Sequence, residues 1–411
     1  MLLTASAVFV SCGSHPDRAN TQITDYLYGV EYDDYDFAAG VKALEHYKPA
    51  AAGCSEVRKG DFVGRNLDWY INNDASAVVK VNANEERFAS LGVIGCCSKF
   101  EVDFAASGEF SDIYNILPMF TVDGVNEKGV YCGVNVMPTG ETSFDPEKWN
   151  TGAWGLGAAF TNPGAEQTYC VTYLVRYILD NASSVEDART LVRKANWFEP
   201  SGFPHEGASQ AFHWLISDSK SSVVLEFIDN VPCFNECESV SEPSYGTIMT
   251  NFTNKLMADA QLIQTTGAGY ERWDILSEAY PGTEESFEGM QNLMKKVWYS
   301  KFYLTDAKAP GFMMTEYVSP EYPATRLYGN EELQQSEEWA AIVAGLKEKF
   351  ENKDNWHTAD SPLWYSTHTS VYQLSTKELR LIVHEGYDGQ DETLAFSLAD
   401  SHFVKPLSMV R

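Results

Sequence analysis

Positive charge is what this sequence has least of. Lys and Arg total 30 against 58 Asp and Glu in 411 residues, a net charge of −28, and the pI is near 4.6. A surface of that sign repels phosphate backbones and anionic headgroups, so nucleic acid and membrane surfaces are excluded as partner classes. Long apolar runs are also missing. The longest, Met1 to Cys12, stops short of the ~18–20 residues that cross a bilayer, so no membrane-spanning segment is expected. The chain has no G-x-S-x-G elbow, no H-E-x-x-H and no P-loop, which removes the motif-bearing serine hydrolases, zinc proteases and nucleoside triphosphatases. Gly155-Leu-Gly157 lacks a third glycine and a strand–helix context, and reads as a loop. No two cysteines form a C-x-x-C pair, so a structural zinc site has no support. Histidines are few and scattered; His213, inside an apolar alternation, reads as a satisfied core residue and not as a ligand or base. No cofactor and no metal are expected.

What remains is ordinary globular composition, 44% hydrophobic and 21% charged, which excludes a disordered or fibrous chain. The first twelve residues resemble a secretion h-region without its basic flank, with Phe9-Val10-Ser11-Cys12 a loose lipoprotein-like match. That reading places the protein outside the cell or in the envelope, periplasmic or lipid-anchored. Read instead as a buried first strand, the same stretch leaves the protein cytoplasmic. Residues 13–53 carry an acidic, tyrosine-rich stretch from Asp25 to Phe37, a short helical pattern through Val41, Leu44 and Tyr47, and then Pro49-Ala-Ala-Ala-Gly53. They read as a pro-segment ahead of a domain spanning 54–411.

From Cys54 onward the pattern is one of hairpins. Cys54–Val57 and Phe62–Trp69 flank the turn Arg58-Lys-Gly-Asp61; Phe120–Val122 and Gly129–Val136 flank Asp123–Lys128. His213–Ser217 and Val223–Ile228 flank Asp218–Ser221, and Ser370–Leu374 and Leu379–Val383 flank Ser375–Glu378. Helices lie between: one capped at Ser184, one through Met290, Leu293, Met294 and Val297, and one through Trp339, Ile342, Val343, Leu346 and Phe350. Grouped hairpins separated by helices predict a layered α+β fold. Cys96, Cys97 and Cys132 lie in apolar stretches and read as core residues. Cys233 and Cys237 are spaced either for a small disulfide loop or for two reduced thiols.

The chemistry concentrates at Cys54-Ser-Glu-Val-Arg-Lys-Gly-Asp-Phe-Val-Gly-Arg65-Asn66-Leu67-Asp68-Trp69. A cysteine opens one strand of a hairpin, and an arginine and an aspartate sit on the returning strand. Three alanines and a glycine precede the cysteine, where backbone cleavage is sterically easy. A cut at Gly53–Cys54 gives Cys54 a free α-amine. Model α-amines titrate at about 7.7–8.0 and model thiols at about 8.5, so one residue would hold both nucleophile and base, with no histidine required. The mature chain would have 358 residues, the 411 less the 53 ahead of Cys54.

Five motifs in order now resemble the choloylglycine hydrolase group of N-terminal nucleophile hydrolases, which includes bile salt hydrolases, penicillin V acylases and linear amide C–N hydrolases. They are Cys54 with Gly64-Arg-Asn-Leu-Asp-Trp69, the run Asp123 to Asn135, His213–Asp218 with Val224-Leu-Glu226, Thr250-Asn251-Phe252, and Tyr270-Glu-Arg272-Trp-Asp274. The resemblance spans Cys54 to Asp274, and residues 300–365 match nothing in it. It implies an αββα sandwich of two antiparallel sheets covered by helices. It implies catalytic roles for Cys54, Arg65, Asp68, Asn135, Asn251 and Arg272, with Asn135 as an oxyanion donor. The implied reaction is hydrolysis of the carbon–nitrogen bond of a small N-acyl amide through a thioester. Bile salt hydrolase or penicillin V acylase proper, an acyltransferase, and a catalytically silent surface binding protein stand beside it. The bland readings are that Arg65 and Asp68 form a cross-strand ion pair and that Asn126 and Asn135 serve turns; Asn251-Phe-Thr253 also reads as a glycosylation sequon. Nothing sets the oligomeric state, and a homo-oligomer is compatible with the sequence.

Overall fold

The computed structural model describes residues 19–24, 27–44, 54–70, 76–94, 116–137, 160–198, 211–228, 230–258, 269–303, 313–318, 364–383 and 393–400, with positions 336, 337 and 341. Residues 1–12, Cys96 and Cys97, the Gly155 loop and the Trp339–Phe350 helix lie outside these, apart from one position of the last.

In chain order the elements are β1 (Ala19–Thr24), β2 (Leu27–Tyr32), α1 (Phe37–Leu44), β3 (Ser55–Lys59), β4 (Phe62–Tyr70), β5 (Ser76–Val81), β6 (Ser90–Ile94), β7 (Asp123–Asn126) and β8 (Tyr131–Met137). Then come β9 (Thr168–Cys170), α2 (Leu174–Asn181), α3 (Val185–Lys194), β10 (Asn196–Phe198), β11 (Ala211–Ser217), β12 (Ser222–Ile228), β13 (Val231–Glu236) and β14 (Ile248–Met249). The last are α4 (Asn254–Ala258), α5 (Tyr270–Ala279), α6 (Phe287–Lys295), β15 (Tyr299–Tyr303), β16 (Met313–Val318), β17 (Trp364–Gln373), β18 (Glu378–Val383) and β19 (Thr393–Ser397).

Two sheets form the body. The first has nine strands in the order β1-β2-β5-β6-β7-β8-β11-β12-β13; the second has β14-β3-β4-β17-β15-β16, with β18 and β19 attached through β17. An apolar layer between them holds Leu91, Val93, Val125, Leu215 and Val224 from the first sheet and Val63, Tyr372, Leu379 and Leu381 from the second. The outer face of the first sheet is covered by α2 and α3 through Leu174, Ile178, Leu179, Ala188 and Val192. The outer face of the second packs Val57 and Val371 against Leu276, Met290, Leu293 and Met294 of α5 and α6. This is the expected four-layer αββα sandwich, because each helix brings one apolar stripe to one sheet face. The sheets are not wholly antiparallel: β2 runs parallel to β5. A parallel pair needs a long crossover, supplied here by α1 and the β3–β4 hairpin.

Local chemistry explains the elements. Ser184 Oγ accepts from Asp187 N at 3.1 Å to cap α3, and Ser286 Oγ accepts from Gly289 N at 3.0 Å to cap α6, as N-caps do. The β3–β4 hairpin turns at Gly60, whose φ of 54° favours glycine. The next hairpin is displaced from its expected position. Asp123–Asn126 is strand, not turn, and the reversal lies at Glu127–Gly129. Asn126 Oδ1 accepts from Lys128 N and Val130 N, and Gly129 takes φ 79°, so the side chain of Asn126 closes the turn three residues later than the Asp-Gly pair suggests. Asn126 is thus a turn residue, as the bland reading had it. Cys132 is buried, and Cys233 and Cys237 remain thiols. Four residues of extended chain span about 13 Å, beyond the reach of a disulfide.

Candidate active site

Cys54 lies at the head of β3 and is fully buried. Its strand pairs antiparallel with β4, placing Glu56 opposite Arg65 and Ser55 opposite Asn66. Arg65 donates from Nη2 to Cys54 Sγ at 3.7 Å. Burial pushes the thiol up, while the Arg65 guanidinium and the Asp68 backbone N–H bonded to it pull it down, and the Asp68 carboxylate opposes them. The arginine is therefore the cation that favours thiolate here.

Arg65 is held from three sides. Its Nη1 donates to Asp123 Oδ2 at 2.7 Å, its Nη2 donates to the Val134 carbonyl at 2.7 Å, and its Nε lies 3.5 Å from Glu56 Oε1. Asp123 stands on β7 of the opposite sheet, so this pair spans the sandwich. Tyr372 donates its hydroxyl to Asp123 Oδ1, Ser370 Oγ donates at 3.4 Å, and His368 Nε2 lies 3.7 Å from Oδ2. The Arg65 guanidinium, then His368 and the Tyr372 hydroxyl, hold the Asp123 carboxyl below its usual range against burial. Burial pushes the Glu56 carboxyl up to about 8, with Tyr131 donating to Oε2 at 3.0 Å. Glu56 is then neutral at pH 7, so Asp123 is the one full carboxylate charge facing the Arg65 guanidinium, which limits the cost of burying the cluster.

Asp68 faces another way and does not pair with Arg65. Its Oδ2 accepts from Arg272 Nη1 at 2.6 Å, and its Oδ1 accepts from Ser366 Oγ at 2.6 Å. A bulge in β17 between Ser366 and His368 sets this register. Arg272, on α5, also donates from Nη2 to Asn251 Oδ1 at 2.5 Å, and Asn251 Nδ2 donates to the Val136 carbonyl at 2.6 Å. Asn135, on β8, donates from Nδ2 to the carbonyls of Met249 and Thr250 at 3.5 and 3.3 Å. Of the six residues singled out from the sequence, Arg65 contacts the Cys54 thiol, Arg272 ties Asp68 to Asn251, and Asn135 binds the Thr250 carbonyl next to Asn251; all six are buried.

The segment carrying Asn251 is braced from β11 and β12. His213 Nε2 lies 2.8 Å from the Thr250 carbonyl and its Nδ1 lies 3.3 Å from Glu226 Oε1. Glu226 accepts from the backbone N–H groups of Asn254 and Lys255 at 2.7 and 2.8 Å and from Thr253 Oγ1 at 3.2 Å. His213 is the satisfied core residue expected, with a bracing role besides. Sequence reasoning missed Asp123, Glu56 and Ser366. Glu56 could have been found, two residues after Cys54 on the same strand face.

Residues 54–256 match the family of linear amide C–N hydrolases, choloylglycine hydrolase family. This is an amidohydrolase of the linear-amide class, and the matched stretch, which opens on Cys54, belongs to that family. No protein of curated function matches the sequence. Among solved structures, penicillin V acylase from Agrobacterium tumefaciens is similar over 84% of this chain and 86% of its own, at 12% identity and a TM-score of 0.42. Two variants of the conjugated bile acid hydrolase from Clostridium perfringens are similar over 87% of this chain and all of their own, at 13% identity and a TM-score of 0.38. Among the described residues no helix is long and apolar enough to cross a membrane.

Proposed function

We propose that Cys54, once freed at its nitrogen, is the nucleophile of a small-molecule N-acyl amide hydrolase. The observation that carries this reading is the convergence of the Arg65 guanidinium and the Asp68 backbone N–H on one buried thiol. Maturation is hydrolysis of the Gly53–Cys54 peptide bond: water's oxygen goes to the Gly53 carbonyl carbon, and the Cys54 nitrogen becomes an amine. That amine takes the thiol proton, and the thiolate attacks the substrate carbonyl. Asn135 serves as an oxyanion donor, because its amide donates to Met249 and Thr250 only at long range and a full negative charge outcompetes such bonds. The tetrahedral adduct expels the amine, which leaves with the proton. Water then cleaves the thioester, giving a carboxylic acid and restoring the thiol. Asp68, anchored by Arg272 and Ser366, holds the α-amine, and Asn251 orients the wall opposite.

The test is a panel of conjugated bile acids, penicillin V and N-acyl amino acids, read by mass spectrometry with wild type and Cys54→Ala. Release of acid and amine by the wild type alone supports the reading. A panel left intact by an enzyme whose chain begins at Cys54 overturns it, as does turnover by Cys54→Ala.

A further inference from the structure

Residues 19–44, ahead of the proposed cut, are built into the sandwich. β2 pairs with β5 from Leu27↔Ser76 to Tyr32↔Val81, and β1 pairs with the far side of β2. Leu27 is fully buried in the layer between the sheets. Val30, Tyr32 and Tyr35 are buried in the apolar cluster under α2.

Polar contacts reinforce this seat. Lys80 Nζ lies 3.3 Å from Glu31 Oε1, and Arg87 Nη2 lies 3.0 Å from Asp34 Oδ1. The Arg87 guanidinium also stacks 4.1 Å from the Tyr35 ring centroid, and the Tyr35 hydroxyl donates to buried Asp180. Asn82 Nδ2 donates to Asp33 at 2.7 Å. α1 follows with Phe37 edge-on to Tyr173 at 5.3 Å. It also brings Gly40 so close to Met119 that an added Cβ would lie 2.4 Å from Cγ. The acidic segment therefore meets two basic side chains of the following domain, and its backbone covers the hydrogen-bonding edge of β5.

We infer that cleavage at Gly53–Cys54 leaves residues 19–44 in place, so that the working enzyme is a noncovalent complex of two chains and the released segment is a permanent subunit. The inference rests on the N-terminal nucleophile reading above. Loss of the segment would bare the six-residue edge of β5, an unpaired strand edge being a template for aggregation. It would also open the apolar layer under α2 that Val30, Tyr32 and Tyr35 fill, and take Glu31 from Lys80 and Asp34 from Arg87.

The experiment uses active enzyme purified from the full 411-residue chain. Native mass spectrometry after gel filtration in about 1 M salt, where exposed ion pairs are screened, reads what stays together. Denaturing mass spectrometry then reads the individual chains. The expected result is one particle holding the chain that begins at Cys54 and an upstream fragment at 1:1, with the fragment and the activity lost together as denaturant is added. Full activity from the Cys54 chain with no fragment overturns the inference and leaves the cleavage reading standing. Full activity from an uncut chain overturns the cleavage reading and the inference with it.

Discussion

Arg65 and Asp123 lie 58 positions apart and on different sheets, yet their side chains meet at 2.7 Å with both fully buried. The guanidinium that contacts the Cys54 thiol is thus aimed by a carboxylate from the other half of the sandwich. Breaking a buried pair by removing one charge costs about 3–5 kcal/mol, because the other charge is left uncompensated. Asp123→Asn is expected to lower stability by that order, read by chemical denaturation. It is also expected to lower kcat/KM by about 10²-fold in the fraction that stays folded, since small misplacements of catalytic groups cost that much. A folded variant with wild-type kinetics would remove Asp123 from the site.

Glu56 sets a pH dependence of stability. Its carboxyl titrates at an ordinary 4.5 when exposed and at about 8 in the fold, so between those values the folded chain holds a proton that the unfolded chain has lost. The contribution is fully present below pH 4.5 and is lost as pH rises through about 8, with a slope of up to about 1.4 kcal/mol per pH unit. Glu56→Gln keeps an acceptor for Tyr131 and removes the titration. Urea unfolding across pH 5–8.5 is expected to show a shallower fall for the variant, with its advantage largest at pH 8.5. Parallel curves would show that Glu56 does not titrate in this window.

Asn135 and Arg272 are expected to fail differently. Asn135→Ala removes the proposed oxyanion donor, a contact that would strengthen only in the transition state, so kcat is expected to fall by about 10²–10³ with little change in KM. Arg272 bridges Asp68 and Asn251 with two nitrogens of one fork, which a lysine's single ammonium cannot reproduce. Arg272→Lys is expected to keep the fold and lose at least about tenfold in kcat, on the scale of positioning effects. Steady-state kinetics with one cleavable amide decides both. A pure KM effect in the Asn135 variant would reassign it to ground-state binding.

No histidine should be essential. Cys54→Ala is expected to abolish turnover and Cys54→Ser to leave a trace, because a hydroxyl is far less acidic than a thiol; both should slow removal of the upstream segment if that cut is autocatalytic. His213→Gln is expected to lose stability through the Thr250 carbonyl and Glu226, and to turn over once folded. Cys132 is buried with its thiol pushed up by burial and the nearby Glu56 carboxylate, and should resist iodoacetamide. A folded but inactive His213 variant, or inactivation that tracks another cysteine, would argue for a cysteine–histidine mechanism.

Much of this was legible before any coordinates, for a physical reason. Cys54, Arg65 and Asp68 share one hairpin, so their spacing along the chain nearly is their arrangement in space. Asn135, Asn251 and Arg272 were singled out through ordered motifs; Arg272 bonds Asn251, and Asn135 bonds the Thr250 carbonyl beside it. Asp123 was not legible because Asp-Gly is a strong local turn signal. The turn is made instead by the Asn126 side chain and Gly129, which leaves Asp123 on a strand facing the other sheet. Contacts between sheets leave no periodic trace in a sequence. β2 escaped notice because its parallel partner β5 lies more than forty residues further along the chain, and its acidic residues disguise the buried Leu27, Val30 and Tyr32.

The span from β4 to β7 has a kinetic meaning. The aim of Arg65 at the thiol is set by how far apart two sheets stand, and that gap is filled by Val63, Val125, Tyr131 and Tyr372. Interiors packed like crystals transmit such a dimension rigidly. A methyl group added or removed in that layer, touching neither substrate nor nucleophile, would shift the guanidinium against the sulfur. On the mechanism proposed above, turnover would then serve as a gauge of core thickness.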